Sequence, residues 1–225
     1  MTDFYIEEQK ILLSVDCIIF GFDENKLKVL MGHRKMDPGR GEWSLYGGFV
    51  KNNESIDEAA DRTLYELTGM RNVYMRQVGA FGSIDRDPGA RVVSIAYYAL
   101  INVKDYDSHL MEQHDVEWID IEKIPQMFSD HNLMIQKARK LMQQKIKTEP
   151  ISFQLLPNLF TLTQLQRLYE AVNGEEVDKR NFRKRVKDMD FIEKTELIDK
   201  LSSKRGAYLY RFNKKMYTED KNFKL

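Results

Sequence analysis

Cysteine is nearly absent from this 225-residue chain. The single one, Cys17, lies in the apolar run VDCIIF, which excludes an intrachain disulfide framework and suggests a buried, inert thiol in a reduced compartment. Long hydrophobic runs are missing too: no stretch approaches the roughly 20 apolar residues that span a bilayer. The acidic, polar start MTDFYIEEQK is unlike a signal peptide. A cytoplasmic protein without membrane partners is therefore expected. Repeats and low-complexity tracts are also lacking, and the formal net charge is zero, with 35 Lys+Arg against 35 Asp+Glu.

What is present points to a folded core, since 42% of residues are hydrophobic and 31% charged. The neutral total hides an asymmetry. Residues 1–150 carry 19 Lys+Arg against 24 Asp+Glu, and residues 151–225 carry 16 against 11. Two domains with those bounds are expected, parted near KTEPISFQLLP where prolines interrupt the periodicity, the second facing a polyanion.

In the first part, ILLSVDCIIFGF and KLKVLMGHR read as an antiparallel strand pair split by Asp23, Glu24 and Asn25. MDPGRG is a loop and WSLYGGFV a short strand ending in the pair Gly47 and Gly48. Ser55 and Glu58 form a capping-box pattern, a helix runs from Ile56 to about Thr68, and Gly69 ends it. VYMRQVGAFGSID, ARVVSIAYYALINV and VEWIDIEKIP are strand-like. A helix follows from His131 to Lys147, with Leu133, Ala138, Leu141 and Met142 near one face. Glu112, Asp115 and Glu117 read as a solvated acidic loop, and His109 and His114 have no metal-ligand spacing.

The stretch from Gly47 to Met70 resembles the signature box of the Nudix family, hydrolases of nucleoside diphosphates linked to another moiety. Gly48, Glu54, Arg62, Leu64, Glu66, Gly69 and Met70 fall in its register. Thr63 and Leu67 stand where the family places Glu. Positions 63, 66 and 67 share one helix face, where three carboxylates would gather the divalent cations that neutralise a pyrophosphate. One carboxylate remains, so a binding module without catalytic residues, cofactor or metal is expected. Glu54 and Arg62 are spaced for an ion pair near the helix start.

Behind the boundary, LTQLQRLYEAV reads as a helix capped by Thr161, with Leu162, Leu165, Leu168, Tyr169 and Val172 inward. Asn173 and Gly174 break it. In DKRNFRKRVKDM, Phe182, Val186 and Met189 form one stripe, leaving Lys179, Arg180, Asn181, Arg183, Lys184 and Lys187 for contact outside it. FIEKTELI and AYLYRF follow as a hairpin whose tip carries Lys204 and Arg205. This is the order of a winged helix-turn-helix. Arg180, Asn181 and Arg183 suit base edges, and Lys184, Lys187, Lys204 and Arg205 suit phosphates.

The whole resembles Nudix-related transcriptional regulators, and is most similar to the arabinose-responsive repressors. That resemblance implies an α+β chain: a Nudix-like α/β/α sandwich with a mixed sheet, then a C-terminal winged helix. It implies a homodimer that binds double-stranded operator DNA and a small effector, a pentose such as L-arabinose. Two alternatives stay open: a regulator that senses ADP-ribose or a related nucleotide sugar, and an active Nudix hydrolase. His33, Arg34, Trp43, Glu54, Arg91 and Tyr97, on strands or the loop around the box, are the candidate effector ligands.

Overall fold

The structure, a computed structural model, describes residues 7–106, 108–200, 206–217 and 223. Glu24 and Asn25 both take positive φ, 51° and 61°, the geometry of a tight two-residue hairpin. They join β1 (Leu12–Asp23) to β2 (Lys26–His33), antiparallel. The stretch expected as one strand divides around Leu45. β3 (Trp43–Ser44) pairs with β2, and β4 (Tyr46–Phe49) crosses to pair with β1. β5 (Tyr74–Phe81) and β6 (Val92–Leu100) are antiparallel, while β6 runs parallel to β1. β7 (Val116–Asp120) pairs with the remaining part of β2, completing a seven-stranded mixed sheet.

Alternation along β1 decides which layer lies on which face. Cys17 and Ile19 turn toward α1 (Ile56–Thr68), packing with Leu64 and Leu67. Ile18 and Phe20 turn the other way, into a cluster with Met134, Ile135, Ala138 and Met142 of α3 (His131–Lys145). Leu133, expected on the inner face of this helix, is 46% exposed. Its neighbours Met134 and Ile135 take the buried stripe instead, because the helix is rotated to bring His131 inward. The sequence does not announce a short helix, α2 (Ser108–His114), which carries Glu112; Asp115 lies in the turn after it and Glu117 on the expected strand β7, and all three acids are exposed to solvent as expected.

A 3-10 turn at Pro150–Gln154 leads to β8 (Phe160–Thr161), α4 (Leu162–Asn173), α5 (Lys179–Lys187), β9 (Ile192–Asp199) and β10 (Ala207–Phe212). Thr161 and Gln164 form a reciprocal capping box, and Gly174 ends α4 at φ 76°. β8 adds a third strand to the hairpin, in the order β8-β10-β9. The two parts share one core. Leu165, Leu168 and Val172 belong to the same buried cluster as Ile18 and Phe20. Two hydrogen bonds fasten α4 to the end of α3: Gln143 Nε2 donates to the Val172 carbonyl at 2.8 Å, and Tyr169 Oη to that of Ile146 at 2.7 Å. Among the described residues no helix is long and apolar enough to cross a membrane.

Candidate functional site

The Nudix-type box folds around an arginine. Arg62 grips Glu54 with two bonds, Nη2 to Oε1 at 2.7 Å and Nε to Oε2 at 2.9 Å. It also donates to the Phe49 carbonyl at 3.1 Å and lies 3.3 Å from Glu66. The guanidinium hydrogen bond, helped by the Lys51 backbone N–H, lowers the Glu54 pKa to about 2. Thr63 and Leu67 are each 1% exposed. Leu67 packs against Cys17, Ile19 and Leu30, and the buried Thr63 hydroxyl has no hydrogen-bond partner among the described residues. The one acid left on that face, Glu66, is paired with Arg62. Among the described residues no group of three or more His, Cys, Asp or Glu is placed to hold a metal. This donor set does not fit the divalent cation that the fold family implies.

A separate cleft of about 460 Å³ opens beside the glycine pair, within the usual range for small-ligand pockets. Its walls include His33, Arg34, Lys35, Tyr46, Phe49 and Phe128. Arg34 is pre-positioned by a 2.8 Å bond from Nε to the Pro38 carbonyl and by stacking 4.0 Å over the Phe128 ring. The floor is a buried polar cluster that no sequence motif announces. Arg86 makes a two-point pair with Asp130 at 2.9 and 3.2 Å and lies 3.7 Å from Asp16. Ser94 donates to Asp16 at 2.5 Å. His131 Nδ1 accepts from the Leu45 backbone N–H at 3.1 Å, which leaves the proton on Nε2, 3.8 Å from Asp16 Oδ1. Burial holds the His131 pKa below its usual value, with the Asp16 charge opposing that shift.

Of the expected effector ligands, His33 and Arg34 line this cleft, and so does Gly48. Four others are placed elsewhere. Tyr97 is buried at 4% exposure and donates its hydroxyl to Asp57 under α1, and burial followed by that carboxylate pushes its pKa up. Glu54 is consumed by Arg62. Trp43 meets His33 in a tilted ring contact with centroids 4.0 Å apart and packs against the core. Arg91 is exposed and bonds the Ser83 carbonyl at 3.3 Å. Asp16, Arg86, Asp130 and His131 were missed. Only Asp16 left a trace, as a lone acid inside an apolar strand.

The basic helix presents a second surface. Asp178 caps α5 by accepting from the Asn181 N–H at 2.7 Å, and Phe182 and Val186 bury its inner stripe. Lys179, Arg180, Asn181, Arg183, Lys184 and Lys187 line one groove. All are exposed but Arg183, which is half-buried because its Nη2 donates 3.2 Å to Thr163 on α4. Lys204 and Arg205 lie outside the described residues.

Comparison with known proteins follows these two surfaces. Residues 10–142 match the NUDIX domain family and residues 152–212 the NrtR DNA-binding winged helix domain. The "ADPR responsive transcriptional repressor NtrR" of Acinetobacter baylyi is 36% identical over 206 residues, 89% of this chain and 82% of that protein. The chain belongs to the NrtR family of Nudix-related transcriptional repressors. The crystal structure of Shewanella oneidensis NrtR complexed with a 27mer DNA superposes on it with a TM-score of 0.80. That pair is 30% identical over 91% of this chain and 94% of that one. The NUDIX domain of the same NrtR, crystallised in complex with ADP ribose, is 28% identical, covers 60% of this chain and 90% of its own, and has a TM-score of 0.50.

Proposed function

We propose that this NrtR-family chain is a DNA-binding repressor whose Nudix domain senses ADP-ribose without hydrolysing it. The observation that carries the reading is the union, in one chain, of a Nudix domain with the NrtR winged helix, along most of the length shared with a repressor described as ADPR responsive. That likeness, with the ADP-ribose complex of the Shewanella Nudix domain, favours ADP-ribose over the pentose implied by the resemblance to arabinose-responsive repressors. The loss of two helix acids at Thr63 and Leu67, and the capture of Glu66 by Arg62, support binding without turnover.

The α5 groove is the surface for operator DNA, with Arg180, Asn181 and Arg183 toward bases and Lys184 and Lys187 toward phosphates. One helix touches both working parts. Its N-terminal end supplies His131 to the cleft and, through Asp130, holds the cleft's Arg86, and its C-terminal end holds α4 through Gln143 and Ile146. An effector that binds two arrangements of α3 unequally shifts the DNA-binding state, and one that binds them equally does not. Action as a homodimer on a two-part operator is part of this proposal.

The effector is tested by thermal shift with ADP-ribose against L-arabinose, since a ligand at 100 times its Kd adds about 2.7 kcal/mol. Stabilisation by ADP-ribose alone is expected, and stabilisation by arabinose alone overturns the reading. For the DNA surface, Lys184→Ala is expected to weaken binding and lower the slope of log K against log salt by about one. An unchanged slope removes this lysine from the phosphate contacts.

A further inference from the structure

Asp16 is an acid in a costly position. Its strand neighbours Val15, Cys17 and Ile18 are at most 1% exposed, and it is itself 7% exposed. Desolvating a carboxylate there is unfavourable unless its lone pairs are used. They are used unequally. Oδ2 accepts from Ser94 Oγ at 2.5 Å and has Arg86 Nη2 at 3.7 Å. Oδ1 has His131 Nε2 at 3.8 Å, beyond hydrogen-bond reach, and occupies the space where a side chain at Gly47 would begin. A Cβ at Gly47 would collide with that oxygen and stand 2.6 Å from the Val15 carbonyl. The second glycine-loop residue of the cleft, Gly48, has no such neighbour, its added Cβ meeting only Thr63 at 3.5 Å and Arg62 at 3.9 Å. Arg86 commits Nε and Nη2 to Asp130. Among the described residues, Ser94 alone donates a hydrogen bond to Asp16, so the carboxylate keeps unfilled acceptor capacity on the cleft floor.

An anionic acceptor repels a phosphate and accepts from a hydroxyl. The cleft separates the two demands, with Arg34 and Lys35 on its wall and Asp16 beneath. We propose that Asp16 is the specificity-determining group of the cleft, accepting a hydrogen bond from a ribosyl hydroxyl of the effector and so rejecting ligands that lack it. A site built to bond a hydroxyl discriminates strongly against its absence, because the buried partner is left unsatisfied. The inference rests on ADP-ribose being the effector. ADP-ribose offers hydroxyls on its adenosine ribose and on its terminal ribose, and the geometry serves either.

Calorimetry on the full chain separates the sources, using ADP-ribose and two analogues that each lack the hydroxyls of one ribose. One analogue is expected to bind the unaltered protein about tenfold or more weakly, which names the ribose concerned. Asp16→Asn is expected to weaken ADP-ribose by a similar factor and to erase the difference between ADP-ribose and that analogue. Equal binding of all three ligands by the unaltered protein overturns the inference, as does a deoxy penalty that persists undiminished in D16N. If D16N loses its cooperative thermal transition, Ser94→Ala replaces it. That variant keeps the acid but frees its orientation, and the deoxy penalty is expected to shrink, an undiminished penalty again being fatal. Failure of the unaltered protein to bind ADP-ribose at all contradicts the effector assignment first, before any variant is made.

Discussion

Two arginine-centred clusters sit on the same domain and differ in depth. Arg62, with a side chain 23% exposed, holds Glu54 and Glu66 on the outer side of α1. Arg86, at 5%, holds Asp130 and faces Asp16 at the floor of the cleft. The first is assembled from one short stretch of chain between Phe49 and Glu66, and solvent shares in satisfying it. The second draws on β1, the β5–β6 loop and the entry to α3, and its innermost members, Arg86 and Asp16, are almost closed off from solvent. The cluster that carries a family signature is the shallower one, and it braces the scaffold. The buried one shapes the cleft.

Breaking the deep cluster has the largest expected effect. Arg86→Met leaves the buried Asp16 and the partly buried Asp130 without their cation, and a loss of about 3–5 kcal/mol in urea unfolding at pH 7 is expected. A loss below about 1 kcal/mol, the scale of a solvated pair, shows that the cluster is wetter than its burial implies. Next comes Gly47→Ala. The added Cβ meets the Val15 carbonyl and the Asp16 carboxylate, and backbone of that kind yields little, so about 1–3 kcal/mol is expected. Near-neutral stability demonstrates that β1 and β4 can part at no cost.

The shallow cluster is sharpened by pH rather than by size. Glu54 titrates at about 2 in the folded chain against an ordinary 4.5. A depressed folded pKa contributes stability that is complete above about 4.5 and is lost as pH falls toward 2. Arg62→Ala removes the cause of that depression. The difference in unfolding midpoint between the original chain and R62A is therefore expected to shrink as pH is lowered through that window. A difference that stays constant there assigns the role of Arg62 to its bond with the Phe49 carbonyl instead.

The same contrast accounts for what the sequence could disclose. Strands β1, β2, β5 and β6, the capped helix α1 and the inner stripe of α4 rest on local period and capping chemistry, and they stand where the residues placed them. The Glu54–Arg62 pair is also short-range, and it forms. The division of WSLYGGFV into β3 and β4 was hidden, because it depends on which of two neighbouring strands each half meets. Helical spacing alone points Leu133 inward, but α3 turns His131, Met134 and Ile135 inward and leaves Leu133 exposed. Tyr97 is a candidate only as a polar residue on a strand near the box, and the parallel β1–β6 pairing buries it under α1. Arg86 and Asp130 lie 44 positions apart, and only the closed sheet brings them together.

If the Nudix domain reads ADP-ribose as a signal and passes it to the basic helix, DNA affinity must answer to ADP-ribose. The direct measurement is fluorescence anisotropy of a duplex selected from a random pool by the protein itself, titrated with ADP-ribose in the presence of Mg²⁺, with the nucleotide recovered and analysed afterwards. The expected result is a fall in DNA affinity as ADP-ribose saturates, with the ADP-ribose recovered intact. Unchanged DNA affinity at saturating ADP-ribose, or multiple-turnover release of AMP, contradicts the account.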